Sequence, residues 1–389
     1  MRILHTADWH VGRTIRGHNR ADEHRAVLAE IAHLTAEHDA DLVVIAGDLF
    51  DTAAPSADAE QIVYQALLDL AATGAQVILI AGNHDNPRRW GAIAPLLRRS
   101  DVHAAATLRR PADGGVIGVS TRDGQSAQVA LVPFLSQRAI VKVEHLMALD
   151  PGQHVSQYAE RCKLVLSAMA EQFTSDTVNL VVGHLTVANG EPTLGGGERM
   201  AHTIFDYFVT PQAFPVTAHY VALGHLHLPQ RIPGPAPLWY SGSPLALDFG
   251  EAERAGKAVL LVDVAPDTPA QVRELPLRAG RRLRTVRGSL DDLMALRDDV
   301  DPDAYLRIVL EEVPRPGLAR TVRETFPQAV DVSVVAGLSQ AASTVEPHDV
   351  HGSPHELFAR YLADHGGSNA ALERLFARLL EEEHAADAS

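Results

Sequence analysis

A length of 389 residues with 46% hydrophobic residues predicts two or three domains, one of them with a sizeable core. The formal net charge of −15 at pH 7 argues against a protein that binds nucleic acid by itself, because such proteins are typically basic. Bound dications or a basic partner subunit would weaken this exclusion, since ions are often the largest local charges in a site.

The first part of the chain alternates between predicted strands and helices. Short apolar runs at residues 2–7, 42–46 and 77–81 are typical of buried strands. Between them, residues 22–38 and a segment opened by Pro55 and Ser56 place apolar side chains on one face of a helix. This βαβαβ order predicts a largely parallel sheet covered by helices.

Antiparallel strands are predicted to join the second half. Apolar runs at 116–120 and 127–132 flank Asp123-Gly124, which favours a hairpin. A helix is predicted over 156–173, and strands are predicted at 180–182, 220–223, 238–243 and 257–264. Residues 189–197, which include four glycines, predict a surface loop that is either a plain connection or a substrate-contacting loop.

The last third of the chain is predicted to form a small domain, a linker and two helices, all separate from the first part. Residues 265–269 have the composition of a boundary, and 270–337 predict a small β-α-β-α-β domain. Residues 338–352 predict a linker. Ser353-Pro354-His355-Glu356 is a capping box that opens two amphipathic helices within 353–389. Those helices either pack on their own domain or dock on a partner.

Export and membrane insertion are not expected. No run of 18 apolar residues predicts a membrane span. The first residues enter a strand and a ligand motif directly, unlike a signal peptide. The only cysteine, Cys162, cannot form an internal disulfide, and we expect it in the core. We therefore expect a cytoplasmic protein without a membrane association.

Five polar motifs come at the ends of predicted strands: Asp8-x-His10, Gly47-Asp48-x-x-Asp51, Gly82-Asn83-His84-Asp85, Gly183-His184 and Gly224-His225-x-His227. Such residues lie on loops at one sheet edge, where they can converge. Carboxylate and imidazole ligands suit Mn, Fe, Zn or Mg, and the absence of thiolate disfavours a structural zinc site. The set could hold two dications about 3.5–4 Å apart, the spacing used for displacement at phosphorus, with Asp48 as the bridge.

Two groups of basic residues flank these motifs. Arg13, Arg16, His18 and Arg20 follow the first motif, and Arg88 and Arg89 follow the third. They either contact the phosphates of DNA or belong to ordinary solvated loops.

The motifs resemble the calcineurin-like metallophosphoesterases and, more closely, the SbcD family of nuclease subunits. The runs that carry this resemblance are His5-Thr6-Ala7-Asp8-Trp9-His10-Val11-Gly12-Arg13, Ala46-Gly47-Asp48-Leu49-Phe50-Asp51-Thr52, Ala81-Gly82-Asn83-His84-Asp85, Gly224-His225-Leu226-His227 and Tyr240-Ser241-Gly242-Ser243-Pro244. The resemblance covers about residues 1–265. Beyond them it rests on domain order, a capping domain followed by helices that bind an ATPase.

The resemblance implies an α/β fold, a mixed-sheet sandwich with helices outside, followed by a small α+β capping domain and C-terminal helices. It implies one metal held by Asp8, His10, Asp48 and His227, and another held by Asp48, Asn83, His184 and His225. His84 would face the scissile phosphate and Asp85 would orient its ring. Asp51 stands where archaeal relatives carry a phosphate-contacting histidine, and an anion there would repel phosphate.

The implied function is a DNA nuclease with two divalent ions, foremost Mn²⁺, active on double-stranded ends and hairpins in repair, recombination and replication. Its implied partner is an SbcC-like coiled-coil ATPase, with a dimer of this chain in a heterotetramer. Two alternatives stay open from the sequence: a stand-alone small-molecule phosphodiesterase or phosphatase, and a scaffold for an ATPase. The intact ligand set disfavours the scaffold.

Overall fold

The computed structural model describes residues 1–135, 158–191, 208–254 and 256–335, together with residues 372 and 376. Its helices are α1 (Ala21–Glu37), α2 (Ala57–Ala72), α3 (Pro87–Leu97), α4 (Tyr158–Ala170), α5 (Phe249–Arg254), α6 (Leu290–Ala295) and α7 (Leu318–Thr325). The chain divides into two compact units, Met1–Ala336 and Gly337–Ser389. The predicted linker at 338–352, and the helices at 353–389 except for helical residues 372 and 376, lie outside the described residues.

Two six-stranded sheets dominate the first unit. The strands of the chain are β1 (Arg2–Thr6), β2 (Thr14–Ile15), β3 (His18–Asn19), β4 (Leu42–Ile45), β5 (Gln76–Ile80), β6 (Val102–Ala105), β7 (Val116–Ser120), β8 (Ser126–Val132), β9 (Val178–His184), β10 (Thr186–Val187), β11 (Phe208–Val209), β12 (Tyr220–Gly224), β13 (Gln230–Ile232), β14 (Leu238–Tyr240), β15 (Ala258–Ala265), β16 (Thr268–Pro276), β17 (Leu283–Gly288), β18 (Tyr305–Glu311) and β19 (Ala329–Val335). One sheet has the order β16-β15-β1-β4-β5-β6 and the other β13-β14-β12-β9-β8-β7.

The alternation of side chains along each strand explains why the sheets and helices stack in layers. Strand residues alternate between the two faces of a sheet. In the first sheet Val43 and Ile45 pack against α1 and α2, whereas Val44 packs against the second sheet. The second sheet contributes Val182 and Ala222 to that shared core. The result is a mixed-sheet sandwich with helices outside, which confirms the predicted fold class.

The first sheet extends beyond the predicted domain boundary at 265–269. β15 and β16 form an antiparallel hairpin in which Ala258 pairs with Pro276 and Ala265 pairs with Thr268. Pro266 and Asp267 are therefore turn residues, and a tight turn has the same composition as a linker. This corrects the predicted start of the second domain, because residues 270–276 belong to the first sheet.

The three-stranded parallel sheet β17-β18-β19 follows, with α6 and α7 in the crossovers. We call residues 283–335 the β17–β19 subdomain. It has its own apolar core, which includes Leu293, Ile308 and Phe326. Its element order is the predicted β-α-β-α-β.

Helix α4 covers the outer face of the second sheet. Cys162 and Met169 are buried on its inner face. Burial raises the pKa of Cys162 to about 12, so the thiol stays protonated and packs as an apolar core group, as expected. Within the described ranges, no helix has the length and apolar character needed to cross a membrane.

Candidate metal centre

The ends of strands from both sheets bring the predicted ligands together. Loops after β1, β4 and β5 carry Asp8, His10, Asp48 and Asn83, while β9 and the loop after β12 carry His184, His225 and His227. Apart from the half-buried Asn83, all of these side chains are buried. Seven residues from five distant segments thus form one largely buried polar cluster.

The cluster contains overlapping groups of potential ligands. Asp8, His10 and His227 offer ligand atoms within 4.8 Å of one another, and so do Asp48, His184 and His225. A third group joins His10 and Asp48 to His84. The Asn83 side-chain oxygen lies 2.9 Å from His184 Nε2 and 3.0 Å from His225 Nδ1. Asp48 stands between two groups, which is the position of a bridging carboxylate.

The loops that carry these residues adopt backbone conformations that L-residues rarely use. Asp8 has a φ of 53°, His10 of 46°, Asp48 of 53° and His225 of 104°. The amide of Asp8 donates to the Gly47 carbonyl at 3.0 Å, and the amide of His10 donates to the Asp48 carbonyl at 3.0 Å. Neighbouring loops therefore fix each other, and the strain is concentrated at the site, as it often is in functional sites.

Gly82 allows the β5 loop to approach Asp48 closely. A Cβ atom at position 82 would lie 2.1 Å from Asp48 Oδ1 and 2.4 Å from the Asp48 backbone nitrogen. A contact this short requires Asp48 or the loop to move. Only glycine fits between the two ligand loops at this point.

We predict that Gly82→Ala lowers the affinity for divalent metals at least about tenfold, because it displaces Asp48, which belongs to two of the ligand groups. Equilibrium dialysis with Mn²⁺ measures the change. Gly118→Ala is the matched control, because a Cβ atom at this strand glycine meets nothing within 4 Å. Equal metal affinity in the two variants would contradict the proposed contact.

Hydrogen bonds fix the orientation of two imidazoles. His184 Nδ1 lies 2.7 Å from the Ala46 carbonyl, so this nitrogen donates and Nε2 faces Asp48 Oδ2 at 3.4 Å. His227 Nδ1 lies 2.9 Å from Glu251 Oε1, which leaves Nε2 for the cluster. Metal-bound histidines usually have such a partner on the second nitrogen.

Glu251 was not identified from the sequence. It lies 24 residues after His227, in α5, and no local motif marks it. Burial alone would raise its pKa, but Lys257 and His227 together lower it to about 2. Glu251 is therefore a buried anion that is paired on both sides.

The ring of His10 has the environment of a metal ligand. Both of its ring nitrogens are buried, and neither has a hydrogen-bond partner among the described residues. Nε2 lies 3.6 Å from Asp48 Oδ2, and Nδ1 lies 3.5 Å from Asp51 Oδ1. Burial lowers the pKa of His10 to about 4, which gives the neutral imidazole that binds metals. This donor set fits a divalent ion.

The carboxylate of Asp51 contacts two neighbouring side chains of the protein. It faces His10 and also lies 3.4 Å from Arg13 Nη1. Burial opposes ionisation, but His10 and Arg13 keep the pKa of Asp51 below its usual value. The contacts of Asp51 therefore indicate that it orients the ring of His10.

Two buried carboxylates lie close together at the centre of the site. Burial, and to a lesser extent the charge of Asp48, raise the pKa of Asp8 to about 7 against the opposing effects of His184 and His227. Burial also disfavours the ionised form of Asp48, yet His184 and His10 hold its pKa well below the usual range. Two dications would relieve this repulsion.

The structure corrects the expected role of Asp85. Its carboxylate accepts backbone N–H groups of Gly82 at 2.9 Å, Phe50 at 3.2 Å and Leu49 at 3.3 Å. The ring of His84 is held instead by the Asp51 carbonyl, 2.6 Å from Nδ1. Asp85 therefore joins two ligand loops, because its side chain points to the backbone amides that the turn leaves unpaired.

The predicted DNA contacts differ in their surroundings. Arg20 is 1% exposed, pairs with Glu23 at 2.8 Å and donates to the Ala246 carbonyl. It is a buried structural ion pair, which corrects its assignment as a DNA contact. The position of Arg20 after a ligand motif did not reveal that its side chain is buried. The spacing of three residues between Arg20 and Glu23, which is typical of a helical ion pair, could have indicated the pairing.

The other basic residues are more accessible. Arg13 pairs with Asp51, Arg16 pairs with Asp331 at 2.9 Å, and Arg89 pairs with Glu60. His18 is exposed, with its ring 5.7 Å from that of Tyr305. Arg88 is exposed, and no ion pair to its guanidinium occurs in the described part of the chain.

The two mixed sheets and the Asp/Asn/His cluster at their strand ends define a metal-dependent phosphoesterase. The family model described as calcineurin-like phosphoesterase matches residues 1–229. A second model, described as type 5 capsule protein repressor C-terminal domain, matches residues 279–366.

Three relatives narrow the class, and all are named as the SbcD component of the nuclease SbcCD. The protein from Bacillus subtilis is 35% identical over 293 residues, which cover 73% of this chain and 71% of that one. The protein from Rhodobacter capsulatus is 36% identical, with 71% and 69% covered. The protein from Escherichia coli K12 is 30% identical, with 76% and 73% covered. The chain therefore belongs to the SbcD family of the calcineurin-like phosphoesterases, which confirms the resemblance seen in the sequence.

Proposed function

We propose that this chain is the metal-dependent nuclease subunit of an SbcCD-type complex and hydrolyses phosphodiester bonds in DNA. The observation that carries the proposal is the overlap of the ligand groups, since Asp48 lies in one group with His10 and in another with His184 and His225. Asp8, His10, Asp48 and His227 would hold one ion, and Asp48, Asn83, His184 and His225 the other. Mn²⁺ is our first choice of metal, and Mg²⁺, Zn²⁺ or Fe suit the same donors.

The residues around this centre have separable tasks. Divalent ions held by these residues would activate water for attack on phosphorus and neutralise phosphate charge. Asp48 and the histidines would hold these ions, and the strained loops keep the ligands rigid. His84 is half-buried, and its Nδ1 is held by the Asp51 carbonyl, so Nε2 is left to serve the leaving oxygen.

Membership of the family supports the proposed substrate and the proposed partner. The relatives are named as components of SbcCD, which supports an SbcC-like coiled-coil ATPase as partner and a role in DNA repair and recombination. Double-stranded ends and hairpins are the proposed substrates, and a homodimer within a heterotetramer is the proposed assembly. Arg13, Arg16, His18, Arg88 and Arg89 are the proposed DNA contacts, of which Arg16, His18 and Arg88 are exposed.

Cleavage of end-labelled hairpin DNA tests the function. We expect cutting with Mn²⁺ and none after EDTA. The DNA affinity of the isolated chain should be weak, should fall with added salt and should rise with the ATPase, because the net charge is −15. Cyclic nucleotides and an aryl phosphodiester are compared under the same metal. Efficient turnover of the small molecules, with no DNA cutting even with partner and ATP, would favour a stand-alone phosphodiesterase.

Truncation after residue 340 should abolish binding of the ATPase and leave the metal site intact. The two amphipathic helices predicted within 353–389 are the proposed docking surface, and they follow a separate compact unit that ends at Ala336. Co-purification with the ATPase measures binding, and Mn²⁺ content reports on the site. Unchanged affinity of the truncated chain for the ATPase would show that the docking surface lies elsewhere.

A further inference from the structure

A buried charged network holds His227 from two sides. Glu251 Oε1 accepts from the ring, while Glu251 Oε2 accepts from Lys257 Nζ at 2.8 Å, the Leu247 amide at 3.0 Å and the Ser243 hydroxyl at 3.2 Å. Lys257 Nζ also donates to the His227 carbonyl at 3.1 Å. The ring and the backbone of one proposed ligand are thus tied to the same carboxylate.

The helix that carries Glu251 is held by the β17–β19 subdomain. Asp248 precedes α5 and accepts from the Gly250 amide at 3.0 Å. On β18, Arg307 Nη2 donates to the same Asp248 oxygen at 3.2 Å, and the Arg307 guanidinium lies 4.7 Å from the centre of the Phe249 ring. Phe249 is fully buried against residues that include Leu283 of the subdomain.

These contacts connect Arg307 to His227 through α5 without a gap, because Arg307 contacts Asp248 and Phe249 and Glu251 contacts His227. α5 has only 6 residues, so its position depends on these contacts more than on its own hydrogen bonds. Arg307 Nε is buried without a hydrogen-bond partner in the described ranges, so the Asp248 pair and the aromatic face are its observed attachments. A shift of β18 would therefore move the start of α5.

We propose that Glu251 is a positioning residue for His227, and that Arg307 couples the seating of the β17–β19 subdomain to divalent metal affinity at the group formed by Asp8, His10 and His227. The proposal rests on the proposed function only in taking this group as a metal site. In this proposal the β17–β19 subdomain controls the affinity for one ion. The other ion would be held by Asp48, His184 and His225, independently of α5.

Mn²⁺ titration of the metal-free, full-length chain by calorimetry tests the coupling. We expect two binding steps in the unmodified protein, and Glu251→Gln should weaken one step about tenfold or more while sparing the other. Arg307→Met should weaken the same step by less, and Arg307→Lys should fall between, because lysine keeps the charge but not the planar contact with Phe249. Arg284→Met, at an exposed arginine on β17, is the matched control and should change neither step.

Four outcomes decide between the explanations. Weakening of one step only, with DNA cleavage by Glu251→Gln restored at high Mn²⁺ and an unchanged melting temperature of the metal-free chain, supports the proposal. Equal loss in both steps, in parallel with a lower melting temperature, overturns it, because general destabilisation then explains the effect. Unchanged affinity in the Arg307 variants overturns the coupling, whereas failure of the unmodified chain to bind any of Mn²⁺, Mg²⁺, Zn²⁺ and Fe²⁺ refutes the proposed function itself.

Discussion

Replacing Asp48 with asparagine is expected to lower the rate of DNA cleavage by at least about 10³-fold and to reduce bound Mn²⁺ below two ions per chain. Asp48 Oδ2 lies 3.4 Å from His184 Nε2 and 3.6 Å from His10 Nε2, so one carboxylate faces both ligand groups. Asparagine has the same shape but no charge. It would place either a weaker oxygen ligand or an NH₂ group where an ion is proposed to bind.

Metal content and cleavage rate measured on the same preparation check this expectation. Asp101→Asn is the matched control, because Asp101 is exposed and has a φ of 55°, close to the 53° of Asp48. The control separates loss of the ligand from any effect of asparagine in a left-handed conformation. Full metal occupancy in Asp48→Asn would remove Asp48 from the bridging position.

Much of the sandwich was predictable because its strands are short apolar runs, and the hairpin at Asp123-Gly124 carries its own turn signal. Helix α3 was not predicted, since Gly91 and Pro95 lie within it and few side chains follow a helical pattern. Its start was nevertheless encoded. Asn86 caps the helix by accepting from the amides of Arg88 and Arg89, and Pro87 occupies the first turn.

Some residues of the site can likewise be predicted from local sequence motifs, whereas others depend on tertiary contacts. The proposed ligands lie in short motifs at strand ends, so their convergence follows from the sheet order. Glu251 and Lys257 were not found, because their contacts to His227 form only when α5 and β15 fold back onto the β12 loop. Arg20 and Asp85 show the converse: residue type suggested a functional contact, while burial gave both a structural one.

The second large effect is expected at His84. His84→Gln should lower the rate of DNA cleavage by about 10²–10⁴-fold, the range of general acid–base catalysis, while both ions remain bound. The backbone amide of His84, rather than its ring, donates to Asp48 Oδ1 at 2.8 Å, so the exchange of the side chain leaves that bond in place. Metal content per chain and the single-turnover rate measure the two parts of this prediction.

His84 also offers a ring nitrogen near His10 and Asp48, so a role as a ligand is the competing explanation. Loss of an ion in His84→Gln, with normal metal in Asp48→Asn, would reverse both assignments. The leaving group gives a second discrimination. An aryl phosphodiester releases a stable phenolate that needs little protonation, so its hydrolysis should be reduced much less than that of DNA if His84 protonates the leaving oxygen. Equal losses on the two substrates would instead indicate that His84 stabilises charge on the phosphate, because that charge develops with either leaving group.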